Sequence, residues 1–181
     1  MRSFRLGVCL LMISCNGVFA APQQLYGKSI VVTWTESREQ KAAYESSLHS
    51  VSRDGNFSIY VSSEGRVFNR FSYGGSDNGK YMQSSSSQIA GQPSDLHARN
   101  INFQGSTITV TMPMVAGARQ IVARFEGDFA NCNAQVITGK ASPQSPIKMR
   151  TLNAGNAEFE IHSIRTGAAT CKVQTGNVFA N

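Results

Sequence analysis

The sequence predicts an all-β protein, an antiparallel meander of about eight to ten short strands. Three observations lead there. Apolar and polar residues alternate with a period of two in most segments. Clusters of Gly, Pro, Asn and Ser separate these segments at roughly ten-residue intervals. No long crossover connects them, so consecutive strands pair as hairpins. Closure into a barrel is the preferred architecture, and a two-layer β-sandwich is the alternative.

The elements follow in chain order. Lys28–Thr35 is β-branched and aromatic, as strands are. Glu36–Leu48 is polar, with a narrow stripe of Ala42, Ala43, Tyr44 and Leu48; it reads as an irregular linker in preference to a short helix. Phe57–Ser63 alternates, with Phe57, Ile59 and Val61 on one face. Glu64-Gly65 turns the chain into Arg66–Tyr73, a hairpin partner. Phe68 breaks that partner's alternation, which predicts a bulge or a strand covered on both faces. Asp54-Gly55-Asn56 and Ser76-Asp77-Asn78-Gly79 look like calcium-loop fragments but lack the repeated oxygen ligands, so they read as turns. Residues 74–94 form a long polar loop with four consecutive serines.

Asn100–Gln104 and Thr107–Met112 are strands, and Pro113–Gly117 breaks the run. Arg119–Glu126 follows, with Ile121, Ala123 and Phe125 inward. Cys132–Thr138 is a strand, and Gly139–Pro146 is a loop. Ile147–Leu152 is a further strand, and Asn153–Asn156 turns. Ala157–Ile164 sets Phe159 and Ile161 opposite Glu158, Glu160 and His162. Thr170–Thr175 closes the sheet.

The N-terminus has a different composition. Arg2 and Arg5 precede an apolar run from Leu6 to Ser14, and Val18 and Ala20 fit the small-residue positions of a cleavage site. This is the order of a secretory signal peptide over residues 1–20. The run is too short to span a membrane. A lipoprotein alternative would place the lipid on Cys15. Residues 21–181 then form one domain, exported to the periplasm or the medium. Removing the signal takes two of 17 basic residues, which leaves 15 against 11 acids, a net of +4. The cations are scattered, which argues against nucleic acid.

The signal also carries Cys9 and Cys15, leaving Cys132 and Cys171. Strand phase turns both toward the apolar side, so a disulfide is expected, as in exported proteins generally. Closing a loop of nearly forty residues, it contributes about 4 kcal/mol on the chain-entropy model.

Signals for chemistry are sparse. The sequence has three histidines, His49, His97 and His162, and no Gly-x-Ser-x-Gly elbow. Asp95-Leu96-His97 is too small a set for a metal, and no cofactor motif occurs. Glu158 and Glu160 share a strand face, as any two acids at that spacing do. Tyr60 lies opposite the Phe57-Ile59-Val61 face and is expected to pack across the hairpin on Arg66 or Arg70. Tyr60, Arg66, Arg70 and Tyr73 are the candidate ligand contacts.

The segments Leu25–Glu36 and Ile59–Arg70, with those around Cys132 and Cys171, resemble a group of small exported β-rich proteins of unknown function from alphaproteobacteria. The resemblance implies an envelope or secreted location and no named activity. The expected role is non-enzymatic binding or interaction, with a small apolar ligand, a glycan or an envelope protein as partner. Alternatives are an envelope structural or inhibitory protein, and a hydrolase with a dispersed site around His97 or His162.

Overall fold

Alternation does not stop at Thr35. Through Glu36-Ser37-Arg38-Glu39-Gln40-Lys41-Ala42 every second residue is buried, and the residues between are exposed or half-buried. A period of two is what a strand imposes. The expected linker or helix over Glu36–Leu48 is therefore corrected: β1 runs unbroken from Lys28 to Ala42. The computed structural model describes residues 20–77, 80–89, 100–114, 117–141, 143–151 and 157–180. Most of the segment expected to be a signal peptide, with Cys15 of the lipoprotein alternative, and the Asp95–His97 pair lie outside them.

The described residues hold eleven strands. They are β1 (Lys28–Ala42), β2 (His49–Val61), β3 (Val67–Asp77), β4 (Lys80–Ile89), β5 (Asn100–Gln104) and β6 (Thr107–Met114). After them come β7 (Gly117–Phe125), β8 (Cys132–Ile137), β9 (Ile147–Thr151), β10 (Ala157–Thr166) and β11 (Thr170–Thr175). All pairings are antiparallel. No helix among the described residues is long and apolar enough to cross a membrane.

The strands form two sheets, one ordered β4-β3-β2-β1-β10-β9 with β11 also on β1, the other β5-β6-β7-β8. No ladder joins the sheets among the described residues, so the architecture is the two-layer sandwich and not the preferred closed barrel. The layers meet through their apolar faces and not through an edge ladder: among the described residues the edge strands β4 and β9 of one sheet pair with neither β5 nor β8 of the other. β1 has 15 residues and β2 has 13, whereas β5–β8 have five to nine, so the long central strands overhang the smaller sheet.

Two further expectations change. β3 continues to Asp77 and β4 begins at Lys80, so most of the expected 74–94 loop is a hairpin. Asp54-Gly55-Asn56 lies inside β2, not in a turn. The Ser62–Arg66 turn is as expected; Gly65 adopts the left-handed φ of +78° that favours glycine.

β10 and β11 act as one returning strand. β11 pairs with Lys28–Thr33 and β10 with Glu36–Ala42. The interruption falls at Gly167–Ala169, where the Gly167 N–H donates to the Thr35 carbonyl at 2.9 Å. A β-carbon on Gly167 would overlap the Thr35 hydroxyl.

One core fills the space between the sheets. Ile30, Val32, Phe57, Ile59 and Val61 face Ile108, Val110, Ile121, Ala123 and Phe125. Ala21, Leu25 and Phe129 join the same core. Each large side chain removed from water here contributes about 1.5–3 kcal/mol. Near that end Cys132 of β8 and Cys171 of β11 form the expected disulfide, their Cα atoms 5.5 Å apart. It ties one sheet to the other.

Candidate functional site

Along the inner face of β1 the chemistry changes at one point. Ile30, Val32 and Trp34 are followed, in the same phase, by Glu36, Arg38 and Gln40, all buried. Buried charge is expensive unless paired. Arg38 donates from Nε to Glu36 Oε1. Arg119, at the start of β7 in the other sheet, donates from a terminal nitrogen to Glu36 Oε2 at 2.7 Å. Glu36 thus bridges the layers, 3% exposed, with Arg119 at 7%.

A third guanidinium joins them. Arg53 of β2 stands directly opposite Glu36 in the ladder. Aromatic rings surround the group. Trp34 and Phe71 stack with centroids 6.1 Å apart, and Phe71 and Tyr73 are 6.0 Å apart with planes tilted 41°. Arg119 lies over Trp34 and Phe71, 5.5 and 5.7 Å from the centroids, and Arg53 lies 5.2 Å from that of Tyr73. Gly55 permits this packing, since a β-carbon there would overlap the Trp34 ring.

The electrostatics are unbalanced. Burial raises the Glu36 pKa, but Arg119 and Arg38 more than offset it and hold the carboxyl below its usual range. Burial lowers the pKa of Arg53, and the Arg38 charge adds to that. Burial likewise lowers that of Arg119, with Glu36 opposing. The Nε atoms of both Arg53 and Arg119 are buried and have no hydrogen-bond acceptor. Ten of the chain's eleven acids are described, Asp95 being the exception, and Glu36 is the buried one among them. Three buried or half-buried guanidiniums therefore share one buried carboxylate.

A second polar group lies farther along the overhang. His49 Nε2 is 2.9 Å from Asp77 Oδ1, and its Nδ1 is 3.4 Å from Glu45 Oε2. Gln40 donates to the other Asp77 oxygen at 3.4 Å. This set ties β1, β2 and β3 together near the β1–β2 turn.

The four contacts expected from sequence do not form one site. Tyr73 faces inward, under Arg53. Tyr60, Arg66 and Arg70 are on the opposite face of the sheet. There Tyr60 stacks on Phe68 with centroids 6.1 Å apart. Arg66 lies over that same Phe68 at 5.6 Å, and Arg70 over Phe179 at 4.8 Å. Phe68 breaks the alternation because β3 carries rings on both faces; its register with β2 is regular. His162 is the extra residue of a bulge in β10, with its Nε2 3.4 Å from Glu160 and no hydrogen-bond partner. Among the described residues no three His, Cys, Asp or Glu side chains are placed to hold a metal.

The arginine cluster was absent from the sequence reading, yet its signal is in the phase. Glu36, Arg38 and Gln40 continue the face of Trp34. Arg53 continues that of Phe57 and Ile59, and Arg119 that of Ile121 and Ala123. No protein-family model, curated protein or solved structure matches the chain.

Proposed function

We propose that this chain is an exported, non-enzymatic binding protein that holds an anionic group at the Arg38–Arg53–Arg119 cluster. One observation carries the reading: two buried guanidinium Nε donors, from different sheets, point to no protein acceptor. Leaving such donors unmet costs about 1–3 kcal/mol each. An anion between them satisfies both with charge-assisted bonds. The signal-like N-terminus and the single disulfide support export.

The test is a thermal-shift titration with sulfate, phosphate, acetate and chloride at constant ionic strength. A specific anion raises Tm, with stability growing logarithmically above Kd to about 2.7 kcal/mol at a hundred times Kd. Arg53→Met removes a half-exposed cation and should abolish the shift while the protein still folds. An equal response to all four anions, or no response to any, would reject the reading.

A further inference from the structure

The edge of a sheet presents unpaired N–H and C=O groups, which are a template for another strand. We infer that the β4 edge of the larger sheet joins two copies of this chain, strand to strand and antiparallel, about a two-fold axis at Ser85. The inference goes beyond the anion site and does not depend on it.

Among the described residues five strands have an unpaired side: β4, β9 and β11 in the larger sheet, β5 and β8 in the smaller. Four of them are guarded. β5 and β9 have five residues each, and β9 carries Lys148 and Arg150. β8 and β11 have six each and are tied to one another through Cys132 and Cys171. Short length, charge and cover are the devices that keep edges from pairing. Among the described residues β4 has none of them. It is ten residues long, has no proline, and has Lys80 at its start as its one charge. Its register with β3 runs without a bulge from Asp77–Lys80 to Phe68–Ile89. Tyr81 is 74% exposed and leans back over Gly74 of β3, where a β-carbon would lie 2.8 Å from its hydroxyl. Its ring therefore leaves the edge open.

The strand's own sequence selects the partner. A two-fold axis normal to a sheet makes the adjoining strands antiparallel and keeps each face continuous. Residues that oppose one another then share a face, so their numbers sum to an even value. Gln83-Ser84-Ser85-Ser86-Ser87-Gln88 reads the same in both directions, centred between Ser85 and Ser86. Face continuity moves the axis onto one of these two. Ser85 uses the strand from Tyr81 to its end: Tyr81 opposes Ile89, Met82 opposes Gln88, Gln83 opposes Ser87 and Ser84 opposes Ser86. An aromatic residue then meets a β-branched one, and hydroxyls meet hydroxyls at the centre, both favourable across strands. Charge agrees. The two Lys80 residues fall at opposite ends of the joint, about 33 Å apart at the usual rise, whereas a parallel arrangement would set them side by side. A foreign strand would have to supply this matching; a second copy already carries it.

The experiment is sedimentation velocity of the purified protein over a series of concentrations. A strand joint is small, so wild type is expected to pass from monomer to dimer at about micromolar concentration or above. Ser85→Lys sets like charges opposite one another and should move that transition to about fivefold or more higher concentration. Mixing Ser85→Lys with Ser85→Glu should restore the dimer. Single cysteines locate the axis, because the native pair is already bonded. Under mild oxidation Ser85→Cys should link two copies, since opposed Cα atoms lie about 4.5–5.5 Å apart. Gln83→Cys is four strand steps from its own copy, about 13 Å, and should stay unlinked. Where Ser85→Lys fails to fold, the two cysteine variants decide alone. Wild type that stays monomeric throughout, even one whose β4 accepts a strand from another protein, would overturn the inference. So would a dimer that Ser85→Lys leaves unchanged, or one in which Ser85→Cys links no faster than Gln83→Cys.

Discussion

Glu36 is the residue on which the charged end depends. It receives Arg38 and Arg119 and faces Arg53 across the ladder. Removing one member of a buried ion pair typically costs 3–5 kcal/mol, because the partner charges stay buried. Glu36→Gln should therefore lower unfolding stability by about that much at pH 7. Its folded pKa lies below the ordinary carboxylate value, with Arg119 and Arg38 outweighing burial. For a depressed acid, the contribution is present above the unfolded pKa and is lost as pH falls through the folded one. Denaturation from pH 6 down to pH 2 should show wild type losing stability from about pH 4 downward. In Glu36→Gln that component of the loss should be absent; identical pH slopes would contradict the assignment. Residues of this kind are the hardest to read in a sequence. Glu36, Arg38 and Gln40 have the composition of a solvated segment, and only their phase with Trp34 places them inside. The face of Tyr73 was not legible, because Phe68 concealed the inward row of Asn69, Phe71 and Tyr73.

At the scale of elements, β1 decides where the site lies. Its first half carries β-branched and aromatic residues and was legible as a strand. Its second half has neither, and its strand state comes from pairing with β2 on one edge and β10 on the other. Tertiary pairing overrides weak propensity here. The β2 segment before Phe57 was obscured for a related reason, since Asp54-Gly55-Asn56 has turn chemistry. Gly55 is needed for close approach and not for a turn: the Trp34 ring occupies the space above it. Gly55→Ala should cost about 1–3 kcal/mol by overpacking. It should also disturb the chain's one tryptophan. Trp34 emission then reports both the substitution and, through the Arg119 stacked on it, any anion that enters the cluster. A Gly55→Ala protein with unchanged emission and stability would show that the ring does not rest there.

The whole molecule is a sandwich whose layers are tied differently at two places. The expected meander and the Cys132–Cys171 bridge were readable from turn spacing and cysteine phase. Barrel or sandwich was not, because both obey the same alternation, and what separates them is whether edge strands far apart in the chain pair. Beyond the shared core, several side-chain links join the layers among the described residues, a Thr138–Thr166 hydroxyl pair 3.0 Å apart among them. The two strongest are the disulfide and Glu36–Arg119. Cys171 stands opposite Val32, four residues before Glu36 on β1, which is about 13 Å along an extended strand. At that separation, with no shared partner, perturbations are expected to add within about 0.5 kcal/mol. Replacing both cysteines by alanine should cost about 2–5 kcal/mol, and Glu36→Gln its own 3–5. Where the combined protein is too unstable, both effects can be measured by denaturant titration in a stabilising sulfate background. Additivity would establish the two ties as independent. A coupling well above 1 kcal/mol would mean that the layers shift as a unit, so that the bridge at one place sets the spacing of Arg53 and Arg119 at the other. In that case reduction of the disulfide should also weaken anion binding; independent ties predict that affinity is unchanged in the fraction still folded.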